Sequence, residues 1–322
     1  MKIVYCIESL CTRGGLERIV TDKMNWLTEN TDHEIILMTI WKLEDSKISA
    51  FPLSSKVKII ELNIPKRLYP LAIWKFDRAV KKLNPDWCII FHAMGALLSI
   101  CTTWKGKLLY ESHTPLFSMN HQWLYPLMMR RVHMVVCLTN GDAINFSKAK
   151  RVAVIPNFCS LPSLNSSPDY NLKQIVSLGR DCKEKDFPRM ERIWASISKE
   201  YPDWHLAIHH NTTDVIKAYY SGSIFIMTSR FEGFGLVLIE AMQCGLPCIA
   251  FDCPYGPREI IKDGENGFLI PYDDDALFIE KLTYLMEHPE ERERMGKAAK
   301  KSVARYDKFQ IMSQWKSLLT NP

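Results

Sequence analysis

The sequence predicts an α/β protein built from two doubly wound parallel-sheet domains. Three observations carry this expectation. Short apolar runs of strand length alternate with stretches of helical periodicity along the whole chain. A Ser- and Pro-rich stretch, Ser160 to Tyr170 (SLPSLNSSPDY), reads as a linker and splits the alternation into two blocks joined near residue 158. At 322 residues, the chain is long enough for two domains.

In the first block, Lys2 to Glu8 reads as a strand, followed by a turn-rich loop, Ser9 to Leu16, that contains Gly14-Gly15. Glu17 to Thr28 places Ile19, Val20, Met24 and Leu27 on one helical face. Glu34 to Ile40 and Lys56 to Leu62 read as strands, and Leu71 to Leu83 as a helix that stops before Asn84-Pro85. Strands follow at Trp87 to Phe91 and Lys107 to Glu111, with a helix at Tyr125 to Arg131. The strand Met134 to Leu138 leads into Thr139-Asn140-Gly141-Asp142 and a helix start, and Val152 to Ile155 is stopped by Pro156-Asn157.

The second block runs strand Gln174 to Leu178, helix Pro188 to Glu200, strand His205 to Ile208, helix Asp214 to Tyr220 and strand Ile224 to Met227. A glycine turn and a helix follow; Cys244-Gly245-Leu246-Pro247 ends that helix, and Cys248 to Phe251 is the next strand. Then come helix Arg258 to Lys262, a turn at Gly264 to Gly267, strand Phe268 to Ile270 and helix Asp275 to His288. Two helices, Pro289 to Arg305 and Asp307 to Leu319, close the chain. Ligands of such sheets bind beyond the carboxyl ends of the strands, and two facing domains form a cleft.

Composition excludes several classes. No apolar run reaches transmembrane length, and the opening MKIVYCIESL lacks an apolar core of signal-peptide length. The ten cysteines include no C-x-x-C pair. Cys244, Cys248 and Cys253 come closest to a cluster, without a histidine at ligand spacing, and read as buried free thiols rather than a metal site. Residues 1–157 carry 21 Lys+Arg against 13 Asp+Glu, and the remainder carries 20 against 23. The basic excess lies between Lys56 and Arg131, interleaved with Leu68-Tyr69, Trp74, Trp104 and Trp123-Leu124-Tyr125. Such a mixture suits an anionic membrane surface or a lipid-linked substrate, with a solvated basic helix face as the plain alternative. No nucleic-acid recognition motif accompanies it.

The residues that can carry chemistry sit at strand ends. Gly14-Gly15 lets a phosphate approach backbone N–H groups, though a simple turn explains it equally. Arg180 and Lys185 follow the strand at 174–178 and can neutralise a diphosphate, or be ordinary surface cations. Glu232 precedes a helix, where the dipole alone favours a carboxylate, and Glu240 lies inside it. Separated by the turn Gly233-Phe234-Gly235, the two read as acceptors for two hydroxyl-bearing groups, with the Gly235 and Leu236 amides holding phosphate between them. His113 follows the strand at 107–111 and can act as acid, base or donor, or be a plain polar loop residue. His92 is a weaker candidate, and His209-His210 read as surface residues of a loop. No G-x-G-x-x-G follows the first strand, which argues against a nicotinamide dehydrogenase.

With these residues in place, the chain resembles the family-4-type retaining glycosyltransferases (glycosyl transferases group 1), whose GT-B architecture pairs two Rossmann-like domains. The resemblance runs along nearly the whole chain and is strongest from Thr228 to Pro271. It rests on Glu232-GFGLVLI-Glu240, followed by A-x-x-CGLP and YGPREII-x-DG-x-NGFLI. Supporting matches are GGLERIV from Gly14, Gly179-Arg180 with Lys185, and VIPN at Val154 to Asn157.

The resemblance implies an N-terminal acceptor-binding domain over 1–157, a nucleotide-sugar-binding domain over 158–305, and a last segment, 306–322, returning to the first domain. It implies that Glu232 and the backbone from Gly233 through Phe234 and Gly235 to Leu236 hold the donor sugar and diphosphate, and that Glu240 takes the ribose hydroxyls. Arg180 and Lys185 bind the diphosphate, Gly15 lies against the phosphates, and His113 matches the family's active-site histidine. The implied reaction moves a hexose from a nucleotide diphosphate, UDP foremost, to a hydroxyl of a cell-envelope glycan or its lipid-linked precursor. It needs no cofactor or metal and involves no nucleic acid. The implied location is the cytoplasm, peripheral on the inner face of the membrane. An epimerase of the same architecture and a non-catalytic nucleotide-sugar-binding subunit are the alternatives. Two features depart from the family: Asp186 stands where glycine is common, and His209 leads almost at once into NTTDVIKAYY, where members usually carry a longer insertion.

Overall fold

The computed structural model describes residues 1–42, 48–162, 166–210 and 212–320. It divides into two units, Met1–Pro156 with the segment that begins at Ile311, and Asn157–Gln310.

In the first unit the order is β1 (Lys2–Ile7), α1 (Gly15–Asn30), β2 (Glu34–Trp41), β3 (Lys58–Ile64), α2 (Tyr69–Leu83), β4 (Trp87–Phe91) and α3 (His92–Cys101). β5 (Lys107–Glu111), α4 (Leu124–Arg131), β6 (Met134–Cys137), the short α5 (Asn140–Ala143) and β7 (Val152–Val154) complete it. The seven strands are all parallel, in the order β3-β2-β1-β4-β5-β6-β7. Growth of the sheet reverses between β1 and β4, which makes that gap the switch point where loops diverge. Continuous apolar runs form these strands because helices cover both faces of such a sheet; every residue of β4 is buried. The apolar stripe of α1 is also buried: Ile19, Val20, Met24 and Leu27 are fully inaccessible.

One helix departs from the sequence expectation. α3 starts at His92, directly after β4, with His92 itself at a left-handed φ of 52°. Its sequence HAMGALLSIC is apolar nearly all round, so it shows no one-sided period to announce it.

In the second unit, β8 (Gln174–Gly179), α6 (Phe187–Ile197), β9 (His205–His210), α7 (Val215–Tyr220) and β10 (Ile224–Met227) come first. They lead to α8 (Leu236–Gln243), β11 (Cys248–Phe251), α9 (Pro257–Ile260), β12 (Gly267–Ile270), α10 (Asp275–Glu287) and α11 (Pro289–Ser302). The five parallel strands lie in the order β12-β11-β10-β8-β9, with the switch point between β8 and β10. Its core joins Phe187, Ile193, Trp204, Ile226, Phe251 and Phe278. Asp214 and Asp274 cap α7 and α10 by accepting from the N–H groups of Lys217 (3.0 Å) and Leu277 (2.9 Å). Glycine is required at 267, where a Cβ would lie 2.4 Å from the Cys248 carbonyl oxygen. Cys244, Cys248 and Cys253 are buried free thiols.

His209 and His210 correct a second expectation. They lie on β9, not in a loop, because pairing with β8 continues to Gly179 opposite His210. The His210 ring stands edge-on to Phe187 with centroids 4.7 Å apart, and His209 Nε2 is buried without a hydrogen-bond partner among the described residues.

The last helix, α12 (Lys308–Thr320), begins in the second unit and from Ile311 packs within the first. Its Trp315 is fully buried, with Lys23 Nζ of α1 3.9 Å from the ring centroid. Near its end, the Leu319 carbonyl accepts from Trp87 Nε1 of β4 at 3.0 Å.

Removing that indole should therefore cost the first unit heavily. Trp315→Ala is expected to lose about 3–5 kcal/mol in urea unfolding, while Trp74→Ala, at a residue 55% exposed, should stay within about 0.5 kcal/mol of the parent. A Trp315→Ala loss no larger than that of Trp74→Ala would mean that α12 does not brace the first unit.

Candidate functional site

At the switch point of the second unit, the loop leaving β8 and the loop leaving β10 are stitched together. The Thr228 hydroxyl donates to the carbonyls of Lys185 (3.2 Å) and Asp186 (3.1 Å), and Arg230 N–H donates to the Glu184 carbonyl at 2.8 Å. Asp186 occupies the left-handed region (φ 48°), which accounts for a glycine being suited to this place. Here the aspartate is tied down instead, its Oδ2 accepting from Arg230 Nε at 3.0 Å.

Glu232 lies at the centre of this junction. Its Oε1 accepts from Lys185 Nζ and from the Ser229 hydroxyl, both at 2.6 Å. Its backbone is clamped on both sides: Glu232 N–H donates to the Pro254 carbonyl (2.7 Å), and Tyr255 N–H donates to the Glu232 carbonyl (2.9 Å). The clamp needs Gly256, where a Cβ would fall 1.8 Å from the Phe234 carbonyl oxygen. Gly235 then opens α8 in the left-handed conformation (φ 98°), and no side chain caps the helix start. Such an N-terminus favours an anion through its amides and dipole.

Glu240 lies in the middle of α8 and is largely buried. Its Oε2 accepts from the Tyr219 hydroxyl of α7 at 3.0 Å. Burial, reinforced by the Glu240 charge, drives the Tyr219 phenol well above its ordinary range, so the tyrosine stays a donor. Arg180 is exposed at the carboxyl end of β8. The junction thus presents two cations, two carboxylates and a bare helix start, which suits a ligand combining a phosphate chain with hydroxyl groups.

In the first unit, titratable groups gather at the carboxyl ends of β4 and β5. Glu111, the last residue of β5, is fully buried, and its Oε1 accepts from His113 Nε2 at 2.7 Å and from Lys23 Nζ. Burial opposes the Glu111 charge, but the Lys23 ammonium and then His113 outweigh it and hold the carboxyl at about 2. The His113 ring packs 5.8 Å from that of Phe91. Burial lowers the His92 pKa, and the neighbouring His113 lowers it further. Beside them, the buried Asp142 accepts from the Ser112 hydroxyl at 2.6 Å, and burial raises its carboxyl pKa. Gly15 opens α1 and Gly14 precedes it in extended conformation, with the Glu17 carboxylate close by: a Cβ on Gly14 would lie 2.2 Å from Glu17 Oε2.

Of the residues singled out from sequence, Lys185 and Glu232 are in direct contact. Glu240 lies in the helix that Gly235 opens, and Arg180 lies in the Lys185 loop. Gly14, Gly15 and His113 belong to the first unit. Sequence reading missed Ser229, Tyr219, Gly256, Glu111 and Lys23. Lys23 did leave a trace: it falls between Ile19 and Leu27 at helical spacing, in the middle of the apolar stripe, and a cation there requires a buried partner.

The family model described as "Glycosyl transferases group 1" matches residues 207–302. The amylovoran biosynthesis glycosyltransferase AmsD of Erwinia amylovora is 29% identical over 359 residues, covering 99% of each chain. Among solved structures, the apo form of the lipopolysaccharide outer core galactosyltransferase WaaB superposes with a TM-score of 0.79 at 16% identity, covering 99% of each chain. A TarM variant of S. aureus in complex with fondaparinux, α-GlcNAc-glycerol and UDP gives a TM-score of 0.83 at 12% identity, covering 99% of this chain and 100% of that one. Residues 207–302 thus match the group 1 glycosyltransferase family model, and the chain has the two-sheet GT-B fold of its structural neighbours.

Proposed function

We propose that the protein is a retaining transferase that moves a hexose from a UDP-sugar to a hydroxyl of a cell-envelope glycan or its lipid-linked precursor. The observation that carries this reading is the junction of Lys185, Ser229 and Glu232 beside the glycine-opened start of α8, at the switch point of the second unit. A nucleoside diphosphate matches it group by group. Arg180 and Lys185 meet the diphosphate, the amides at the start of α8 take one of its oxygens, and Glu240 accepts from ribose hydroxyls. Glu232 accepts from the sugar. Before the donor arrives, Lys185 and Glu232 compensate each other's charge; the incoming diphosphate competes for the lysine. As the bond to the sugar breaks, negative charge grows on the leaving phosphate, and fixed cations and amides stabilise it there without rearranging. The acceptor hydroxyl then attacks from the face of the departing phosphate, which takes the hydroxyl proton as the bond to the sugar forms, and the anomeric configuration is kept.

In the same reading, residues 158–305 bind the donor, 1–157 bind the acceptor with His113 at the reacting centre, and 306–322 return to the first domain. The envelope assignment draws on the amylovoran enzyme and on the lipopolysaccharide 1,6-galactosyltransferase of Salmonella typhimurium, 24% identical over 321 residues.

The acceptor side is read as resting on an anionic membrane. Ahead of and along α2, Leu68, Tyr69 and Trp74 are exposed among Lys66, Arg67, Arg78, Lys81 and Lys82. Phe117, Trp123 and Leu127 are exposed ahead of Arg130. Aromatic and leucine side chains insert at the headgroup level while the cations meet lipid phosphates.

Two sets of measurements test this. In calorimetric titration UDP should bind, and Glu240→Ala should weaken it by about tenfold, the loss of a hydrogen bond to a charged group. Arg180→Ala should lower turnover by roughly 10²–10³-fold, and the product made with acceptor should keep the donor's anomeric configuration by NMR. UDP binding without transfer to any acceptor would favour a non-catalytic nucleotide-sugar-binding subunit, absence of UDP binding would remove the donor assignment, and sugar conversion without acceptor would favour an epimerase. For the membrane, co-sedimentation with vesicles rich in phosphatidylglycerol is expected, little with phosphatidylcholine alone, and a clear loss in Trp74→Ser/Trp123→Ser; equal binding to both vesicle types would remove the assignment.

A further inference from the structure

We propose that Glu111, anchored by Lys23, is a positioning residue that fixes the His113 imidazole as its Nε2–H tautomer and leaves Nδ1 as the ring's proton-accepting atom. The inference rests on the reading that His113 serves the transfer.

The geometry carries it. Glu111 Oε1 takes two donors, Lys23 Nζ and His113 Nε2. The carboxylate is shut away from water: Glu111 and Lys23 are both fully buried. The other oxygen, Oε2, is buried with no hydrogen-bond partner among the described residues. The two bonds at Oε1 are therefore what orients this carboxylate. A carboxylate next to a buried ammonium can only accept, so the proton between Glu111 and His113 belongs to the imidazole. A neutral ring has one N–H; with it committed to Nε2, Nδ1 carries the lone pair.

The anchor is itself held. Lys23 sits on the buried stripe of α1 and lies against the Trp315 ring of α12. Glu111 is the last residue of β5, so the sheet fixes its backbone, and His113 follows two residues later on the loop. A carboxylate used only to neutralise Lys23 would not need the imidazole. A histidine that merely filled space would not need its ring nitrogen tied to a dry carboxylate. Orienting an imidazole through the nitrogen it does not react with is the arrangement that general acid–base and metal chemistry share.

The decisive measurement is a long-range ¹H–¹⁵N correlation spectrum of the full chain with labelled histidine, with His113→Asn supplying the assignment. The wild-type ring is expected as the Nε2–H tautomer when neutral. In Glu111→Gln the amide can offer the ring either an acceptor or a donor, so the tautomer should become mixed. Turnover should then fall by roughly 10–100-fold, as when an orienting carboxylate is removed from an imidazole, while the donor KM and UDP affinity stay within about twofold. Glu111→Asp should recover the Nε2–H form and part of the turnover. If Glu111→Gln does not fold, Lys23→Met/Glu111→Gln, which removes both buried charges together, should show the same mixed tautomer and reduced turnover. A wild-type Nδ1–H ring, or wild-type turnover in the folded Gln variants, would overturn the proposal. Full activity in His113→Asn would instead refute the role of His113 and leave the tautomer result to judge the Glu111 contact.

Discussion

The structure depends on one constraint: a parallel sheet sends the carboxyl ends of all its strands to the same edge. Helices such as α1, α3 and α6 return the chain to the opposite end, so the exit loops appear on one side. Adjacent loops normally run off in the same sense. Where the strand order reverses, they separate, and a ligand can reach backbone and side chains of both. In the second unit this happens between β8 and β10, and in the first between β1 and β4. Lys185 and Glu232 follow the two strands that flank the first of these gaps. Gly15 and His92 follow the strands that flank the second, with Glu111 and His113 at the next strand end.

A gap alone does not make a site; its loops must be held. In the second unit, Thr228 bonds to two consecutive carbonyls of the Lys185 loop, and Glu232 is clamped to the 254–255 backbone. Gly256 permits that clamp because nothing larger fits under the Phe234 carbonyl. Asp186 bears the strain of a left-handed backbone, and its ion pair with Arg230 gives that strain a compensating contact that glycine would not provide. In the first unit, the buried Lys23–Glu111 pair plays the corresponding part. Two charges without water are tolerable only when they meet each other, and breaking one would leave the other exposed to the full cost of burial. Trp315 closes over the lysine from α12, so the C-terminal helix and the histidine loop share one anchor.

How much was legible in the sequence follows from what each element needs. The strands were plain because strands buried on both faces are continuous apolar runs; Trp87–Phe91, Ile224–Met227 and Cys248–Phe251 match their expected bounds. α1 and α6 were plain because they are covered on one side only. α3 was hidden because it is apolar almost all round, and the end of β9 was hidden because histidines do not resemble strand residues. The glutamates and cations near α8 were legible because they lie close together in the chain around a glycine turn. The partners of His113 were not. Glu111 looks like the ordinary polar end of a strand, Lys23 lies 88 residues away from it, and only folding brings them together. Tyr219 was likewise invisible, since its bond to Glu240 crosses between two helices.

In the proposed reading, the switch point of the second unit holds a nucleoside diphosphate between the β8 and β10 loops. A crystal structure of the protein grown with UDP tests it most directly. The expected electron density places the diphosphate against Lys185, Arg180 and the first amides of α8, with the ribose hydroxyls at Glu240 and the Lys185–Glu232 contact lengthened. Density for UDP anywhere else on the second unit, with Lys185 still closed on Glu232, would contradict it.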